Sequence, residues 1–160
     1  MAAEFSLSGQ IRLDPRWVDD LNTTVVTDSV RVALTLALAN GTGTGQANVY
    51  WRDVRTVAAT TTDTISMASG LDLDVFGGSG TVELDPDKLR LLYVRNLSDT
   101  VTLDLVLEDE EQLLLPPAGV LVLSRPADAL FAVPNSGDFS IVNGSATAAD
   151  YEVILVGVQA

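Results

Sequence analysis

The chain has 160 residues, a net charge of −13 and a hydrophobic content of 47%, with no histidine, no cysteine and a single lysine, Lys88. This composition excludes an imidazole general base, a thiolate nucleophile, a Ser-His-Asp triad and a cysteine-based zinc site. The length fits one domain with its own core. The acidic balance opposes binding to nucleic acid and to anionic membranes, because their phosphates repel it.

The N-terminal residues 1–10 carry Glu4 and no basic residue ahead of an apolar stretch, so no secretory signal is predicted. The longest apolar run, residues 113–123, is broken by two prolines and a glycine and is shorter than the ~20 residues that span a bilayer. We therefore expect a soluble protein.

Alternation of apolar residues with small or polar ones predicts strands that are buried on one face. It runs through residues 5–13 (with a bend at Gly9), 30–39 and 101–107. More continuously apolar runs predict strands covered on both faces, at residues 89–95, 120–123 and 153–158. Shorter strand candidates are residues 54–60, 64–67, 71–76, 129–133 and 139–142.

Turn signals separate these strands at short spacing. Asn40-Gly41 and Asn143-Gly144 predict tight hairpin turns, because both residue types accept a positive φ. Only residues 14–21 fit a short helical turn. Further reversals are predicted at residues 77–80, 85–87, 116–119 and 134–137. About eight to ten short strands with regular breaks predict an all-β antiparallel sandwich or barrel.

The sequence also contains a weak internal echo. A strand, an Asn-x-Ser turn and a second strand occur in that order around Asn96 and again around Asn143. Shared turn chemistry explains the echo better than a true duplication does.

Two pairs of carboxylates are the nearest approach to a catalytic or metal site. Asp72 and Asp74 share a face of a predicted strand, and Asp85 and Asp87 flank a proline. Such pairs serve glycoside hydrolysis or calcium binding in other proteins. With 22 acidic residues in one small domain, however, adjacent pairs arise easily and are solvated surface. We predict no catalytic residue, no metal ligand and no cofactor, hence no enzyme.

Three other features suggest surface roles. The glycine-rich residues 41–45 lack the spacing and the following lysine of a phosphate loop, so a tight connection is predicted. The acidic residues 108–111 fit a solvent-facing hairpin, with docking onto a basic partner as the alternative. Trp17 and Trp51 both fit a core, but Trp17 lies beside Arg16 in the least strand-like segment and is the better candidate for a contact residue.

Four stretches together resemble a small family of tailed-bacteriophage virion proteins. In that pattern a G-T-G-x-G-Q-A segment precedes a strand with W/F-x-D-x-R-T, and a K-h-x-h-h-Y-V-x-N strand follows, where h is apolar. An L-P-P-x-G turn and a terminal Y-x-h-h-h-h-G strand complete it. The matching segments are residues 41–60, 88–98, 113–123 and 150–157. The likeness extends from about Ala39 to the C-terminus.

The resemblance implies a jelly-roll sandwich that decorates, or cements, the exterior of a phage capsid, with the major capsid protein as its partner. It transfers no functional residue. We further expect a homodimer or homotrimer, because apolar strand edges need covering. We assign residues 30–160 to the sandwich and residues 1–29 to a capsid-contacting arm, with Phe5 and Trp17 as its anchors.

Other functions remain open at this stage. Within a virion, the alternative is a tail or baseplate component. From another class, a carbohydrate-binding sandwich module needs an exposed aromatic platform, for which an aromatic content of 6% supplies little material. An enzyme using carboxylates is the third possibility.

Overall fold

The computed structural model describes residues 7–13, 16–20, 25–29, 32–72, 80–107, 112–125 and 137–160. In these ranges the chain forms fifteen β-strands and no helix. The strands are β1 (Leu7–Leu13), β2 (Arg16–Asp20), β3 (Val25–Ser29), β4 (Val32–Asn40), β5 (Gln46–Ala47), β6 (Val49–Val57), β7 (Thr61–Ser66), β8 (Leu71–Asp72), β9 (Thr81–Val82), β10 (Leu84–Asn96), β11 (Leu103–Val106), β12 (Gln112–Leu115), β13 (Val120–Ser124), β14 (Asp138–Asn143) and β15 (Ala149–Gln159).

Two four-stranded antiparallel sheets form a β-sandwich. We call them the β6 sheet, with strand order β13-β10-β15-β6, and the β7 sheet, with order β12-β11-β14-β7. Because side chains alternate along a strand, each sheet turns one apolar row of every strand inward. The largest fully buried side chains are Trp51, Tyr151, Met67, Leu84, Leu89, Leu92, Leu103, Leu105, Ile141 and Leu155. The predicted antiparallel all-β sandwich is confirmed.

The eight strands of the sandwich pair in a nested order. The first, β6, pairs with the last, β15; β7 pairs with β14, β10 with β13, and β11 with β12. The chain crosses from one sheet to the other at four short corners, β6–β7, β10–β11, β12–β13 and β14–β15. The strand registers bring all four corners to the same end of the sandwich.

The remaining strands lie outside the two large sheets. β1 pairs antiparallel with β4, β4 pairs in parallel with β5, β2 forms a hairpin with β3, and β8 pairs with β9. Leu38 at the end of β4 and Ala47 of β5 are buried against Leu91, Val156 and Ile154 of the β6 sheet. Thus the residues assigned to an arm, 1–29, include three strands. One of them, β1, pairs with β4, and the end of β4 contacts the β6 sheet.

Two local predictions are wrong. The helical turn predicted at residues 14–21 is replaced in its described part by β2, because β3 supplies a β-branched partner strand for its backbone groups. The run at 120–123 is not covered on both faces: Val120 is 52% exposed and Val122 36%. Their strand, β13, lies at the edge of its sheet.

Neither Asn-Gly pair forms the predicted hairpin. Asn40-Gly41 leads instead into β5, which pairs in parallel with β4. Gly41 has a φ of 144°, which favours glycine, and it lies against the side chain of Gln46. At Asn143-Gly144 the chain changes sheets, and the asparagine side chain is buried. In each case a side chain within the loop replaces the strand-to-strand pairing of a hairpin.

Candidate functional site

The two tryptophans belong to different sheets. Phe5 lies outside the described residues, and Trp17 lies in β2 opposite Asp28 of β3. Trp51 belongs to the sandwich core at 1% exposure, and its indole Nε1 donates a hydrogen bond to the carbonyl of Asp72 at 2.9 Å. Trp51 is therefore structural, and the anchor role of Phe5 and Trp17 stays a prediction.

The carboxylate pairs are not assembled into a site in the described part of the chain. Asp72 is exposed on β8, and Asp74 lies outside the described residues. Asp85 forms an ion pair with Lys88 at 2.8 Å and accepts a hydrogen bond from the N–H of Asp87 at 3.0 Å. No group of three or more possible metal-ligating side chains occurs in the ranges described. The acidic residues 108–111 lie outside those ranges.

The glycine-rich loop is organised by its own chain. Gly43 donates its N–H to Gln46 Oε1 at 2.9 Å, and the N–H of Gln46 bonds back to the Gly43 carbonyl at 3.1 Å. Because these two hydrogen bonds close the loop over four residues, it is a tight connection, as predicted.

A polar cluster joins the two sheets near the β6–β7 corner. Arg55 of β6 donates two hydrogen bonds to Asp63 of β7, from Nε at 2.7 Å and from Nη2 at 2.8 Å. The hydroxyl of Tyr151, on β15 opposite Arg55, also donates to Asp63, at 2.7 Å. All three side chains project into the layer between the sheets. Arg55 and Asp63 border a shallow depression of about 360 Å³ that also includes Thr61 and Thr62.

The cluster shifts the ionisation of its members. Burial opposes ionisation of Asp63, but hydrogen bonds from Arg55 and Tyr151 outweigh it, so the pKa of this carboxyl is lowered. Burial, followed by the hydrogen bond to ionised Asp63, raises the pKa of Tyr151 well above its ordinary value. The hydrogen bond with Asp63 raises the pKa of Arg55. The charges compensate one another, so the cluster is suited to fastening two sheets together.

The outer face of the β6 sheet is a candidate for an interaction surface. Its strand register places outward side chains in three rows, each running β13, β10, β15, β6. The rows are Ser124, Leu91, Val156, Tyr50; then Val122, Tyr93, Ile154, Arg52; then Val120, Arg95, Glu152, Val54. Leu38 and Ala47 cover part of the first row and also pack on Ile154 of the second. We call the second and third rows the open rows, because their exposed residues are Val122, Arg52, Val120, Arg95 and Val54.

Charge on this face differs from charge on the chain as a whole. Arg52 forms an ion pair and a hydrogen bond with Glu152. Arg95 lies directly opposite Glu152 and is exposed, and among the described residues no carboxylate forms an ion pair with it. Two arginines therefore face one glutamate, in a chain of net charge −13.

Sequence reasoning did not single out this face or the polar cluster. Alternation from Val49 to Val57 would have separated the outward Tyr50 and Arg52 from the inward Trp51 and Arg55, but the predicted strand began only at Val54. The convergence of Arg55, Asp63 and Tyr151 has no local signal, because the last two are 88 residues apart.

The described ranges hold no helix with the length and apolarity needed to cross a membrane. Comparisons with protein-family models and with curated proteins find no match to this chain.

Proposed function

We propose that this chain is a non-enzymatic virion protein that binds the outer face of a tailed-phage head and stabilises it, as a decoration or cement protein. The observation that carries the proposal is the nested pairing of the eight sandwich strands. We infer from this order a jelly roll, an architecture common in viral capsid and lectin domains. It accords with the virion resemblance of residues 41–60, 88–98, 113–123 and 150–157.

A cement protein acts by adding interface. Contacts between its surface and the shell remove area from water, so disassembly of the shell must break those contacts as well. Display on a repeating lattice lets modest individual contacts give tight retention. The acidic chain avoids packaged DNA, whose phosphates repel it, and a position on the exterior requires no contact with that DNA.

Self-association is part of the proposal, and the two open sides of the sandwich differ in their suitability for it. The side formed by β6 and β7 carries the Arg55–Asp63 ion pair between its edge strands. The opposite side, formed by β12 and β13, exposes Leu113 at 40% and Val120 at 52%. Charge on an edge opposes strand addition, whereas an apolar edge favours it. A two-fold axis would pair β12 with β12 and β13 with β13.

The segment assigned to an arm would also contact the shell. We propose that residues 1–29 reach the capsid through Phe5 and Trp17. A full-length Phe5→Ser/Trp17→Ser variant should bind heads more weakly and retain the circular dichroism of the wild type. If the folded double variant saturates heads at the same concentration as the wild type, the capsid contact lies on the sandwich itself.

Binding to isolated heads tests the function. Heads stripped of this protein should take up the purified chain to a fixed number of copies, and the decorated heads should withstand a higher temperature before releasing DNA. Uptake on isolated tails instead of heads would favour the tail or baseplate alternative. Retention on a polysaccharide column, with no uptake on particles, would favour the carbohydrate-binding alternative.

A further inference from the structure

We propose that the outer face of the β6 sheet is the surface through which this protein binds its shell partner, and that the partner presents a carboxylate beside apolar side chains. The inference rests on the proposed function for the partner's identity. The face itself, its residues and its charge are features of the described structure.

The face is rigid because of what lies behind it. Its two central strands, β10 and β15, pair with each other over residues 91–96 and 151–156, and each has a further strand on its other side. The inward residues of the same strands, including Leu92, Val94, Val153 and Leu155, are completely buried in the core. Binding on this face therefore needs no ordering of backbone, which limits its entropic cost.

The residue types on the open rows are those that contribute most in protein interfaces. Tyrosine and arginine supply large contact area and directional hydrogen bonds, and they are enriched among the residues that dominate binding energy. Tyr93 and Arg95 occupy the centre of the face, while Val54 and Val120 lie at its two edges, 54% and 52% exposed. A central polar group surrounded by apolar contacts becomes desolvated on binding, which strengthens its hydrogen bonds.

Charge identifies the kind of partner. The Arg52–Glu152 pair satisfies one arginine, and Arg95 remains as an exposed cation with no ion-pair partner among the described residues. A partner carboxylate placed over Arg95 would form a bidentate contact. A basic partner surface is favoured by the net charge of −13, whereas the three rows themselves carry two arginines and one glutamate, which favours a carboxylate at Arg95.

The position of the arm fits the same surface. Leu38 and Ala47 cover the row that contains Leu91, so β4 meets the sandwich at one end of the open rows. β4 pairs with β1, within the segment assigned to the arm. A partner seated on the open rows would therefore lie next to the strands that lead into residues 1–29.

The test compares two charge reversals in binding to heads that lack this protein. Arg95→Glu and Lys88→Glu each change the net charge from −13 to −15, but Lys88 lies outside the face, in an ion pair with Asp85. We expect Arg95→Glu to weaken binding at least about tenfold and Lys88→Glu to leave it within about twofold. Arg95→Gln, which places no carboxylate opposite Glu152, should give an intermediate loss. Thermal unfolding of each variant confirms that it is folded.

The apolar part of the face is tested by a second pair. Val54→Ser truncates an exposed residue on the face, whereas Leu97→Ser truncates one at the β10–β11 corner, outside the rows. Only the first should weaken binding.

Failure of the proposed binding face and failure of the proposed function give different results. If the Arg95→Glu variant binds heads as tightly as the wild type, the inference about this face is wrong and the proposed function still stands. Equal weakening by Arg95→Glu and Lys88→Glu also overturns the inference, since long-range repulsion then accounts for both. Failure of the wild type to bind any head overturns the proposed function, and the assignment of this partner with it.

Discussion

Asn96 and Asn143 make equivalent hydrogen bonds at two corners where the chain crosses between the sheets. The side-chain amide of Asn96 donates to the carbonyls of Val101, Leu115 and Pro116 at 2.7, 3.0 and 3.1 Å. That of Asn143 donates to the carbonyls of Thr147, Ala58 and Val57 at 2.8, 3.1 and 3.3 Å. Each Oδ1 accepts the N–H of the serine two residues later. Each asparagine thus joins its own corner to a neighbouring one.

Replacement of either asparagine should therefore destabilise the sandwich strongly. Both side chains are buried, at 0% and 1% exposure, so an alanine leaves several carbonyls without a donor. We expect Asn96→Ala and Asn143→Ala each to lower the free energy of unfolding by at least about 2 kcal/mol. Urea denaturation measures this. The control Asn40→Ala, at an exposed position, should cost less than about 0.5 kcal/mol. Equal losses in all three variants would contradict the corner role.

Acid should weaken the fold through Asp63. Its pKa is lowered in the folded state, so its ionisation stabilises the fold above the unfolded pKa of about 3.9, and this contribution disappears as pH falls through the folded pKa. Asp63→Asn should be less stable than the wild type at neutral pH, and the difference should shrink below about pH 4. Urea midpoints across this range measure it. A difference between Asp63→Asn and the wild type that stays constant across this pH range would refute the linkage.

Alkali should act through Tyr151. Because its pKa is raised in the folded state, the stabilisation is fully present below the unfolded pKa of about 10 and is lost as pH rises toward the folded value. Wild-type stability should decline above about pH 10 more steeply than that of Tyr151→Phe, which has no group to ionise there. Parallel declines in the two proteins would show that Tyr151 is not responsible.

The periodicity of the sequence predicted where strands lie better than it predicted which of their faces are covered. Alternation identified β4 and β11, and apolar runs identified β10 and β15, because each pattern is a local property of the strand. The same kind of run at residues 120–123 gave the wrong coverage, since only the sheet order places β13 at an edge. Asn143-Gly144 was assigned a hairpin because sequence shows turn chemistry but not whether the asparagine amide has distant carbonyls to bind.

The candidate site was less predictable than the fold, because it depends on register. Asp63 meets Tyr151 only because β7 and β15 lie in different sheets that face each other. Likewise, Arg95 is set opposite Glu152 by the pairing of β10 with β15. The Asn-x-Ser echo at Asn96 and Asn143 was visible in the sequence, and the shared turn chemistry proposed for it agrees with their matching hydrogen bonds.

Self-association through the β12–β13 side is testable with one charge. Leu113 is 40% exposed on the edge strand β12, so Leu113→Lys would place a lysine from each chain in the proposed two-fold interface. Sedimentation should give twice the 16.9 kDa chain mass for the wild type and the single mass for this variant. Thr62→Lys, on the opposite edge strand β7, should remain dimeric. A monomeric wild type, or dissociation of both variants alike, would contradict this interface.

The location of the chain on a particle tests the proposed function most directly. Electron cryomicroscopy of intact virions that contain this protein should resolve a two-sheet density on the outer face of the head, repeated with the symmetry of the lattice. The open rows around Tyr93 and Arg95 should face the shell. Density on the tail or baseplate, or virions that lack the chain altogether, would contradict the assignment as a head decoration protein.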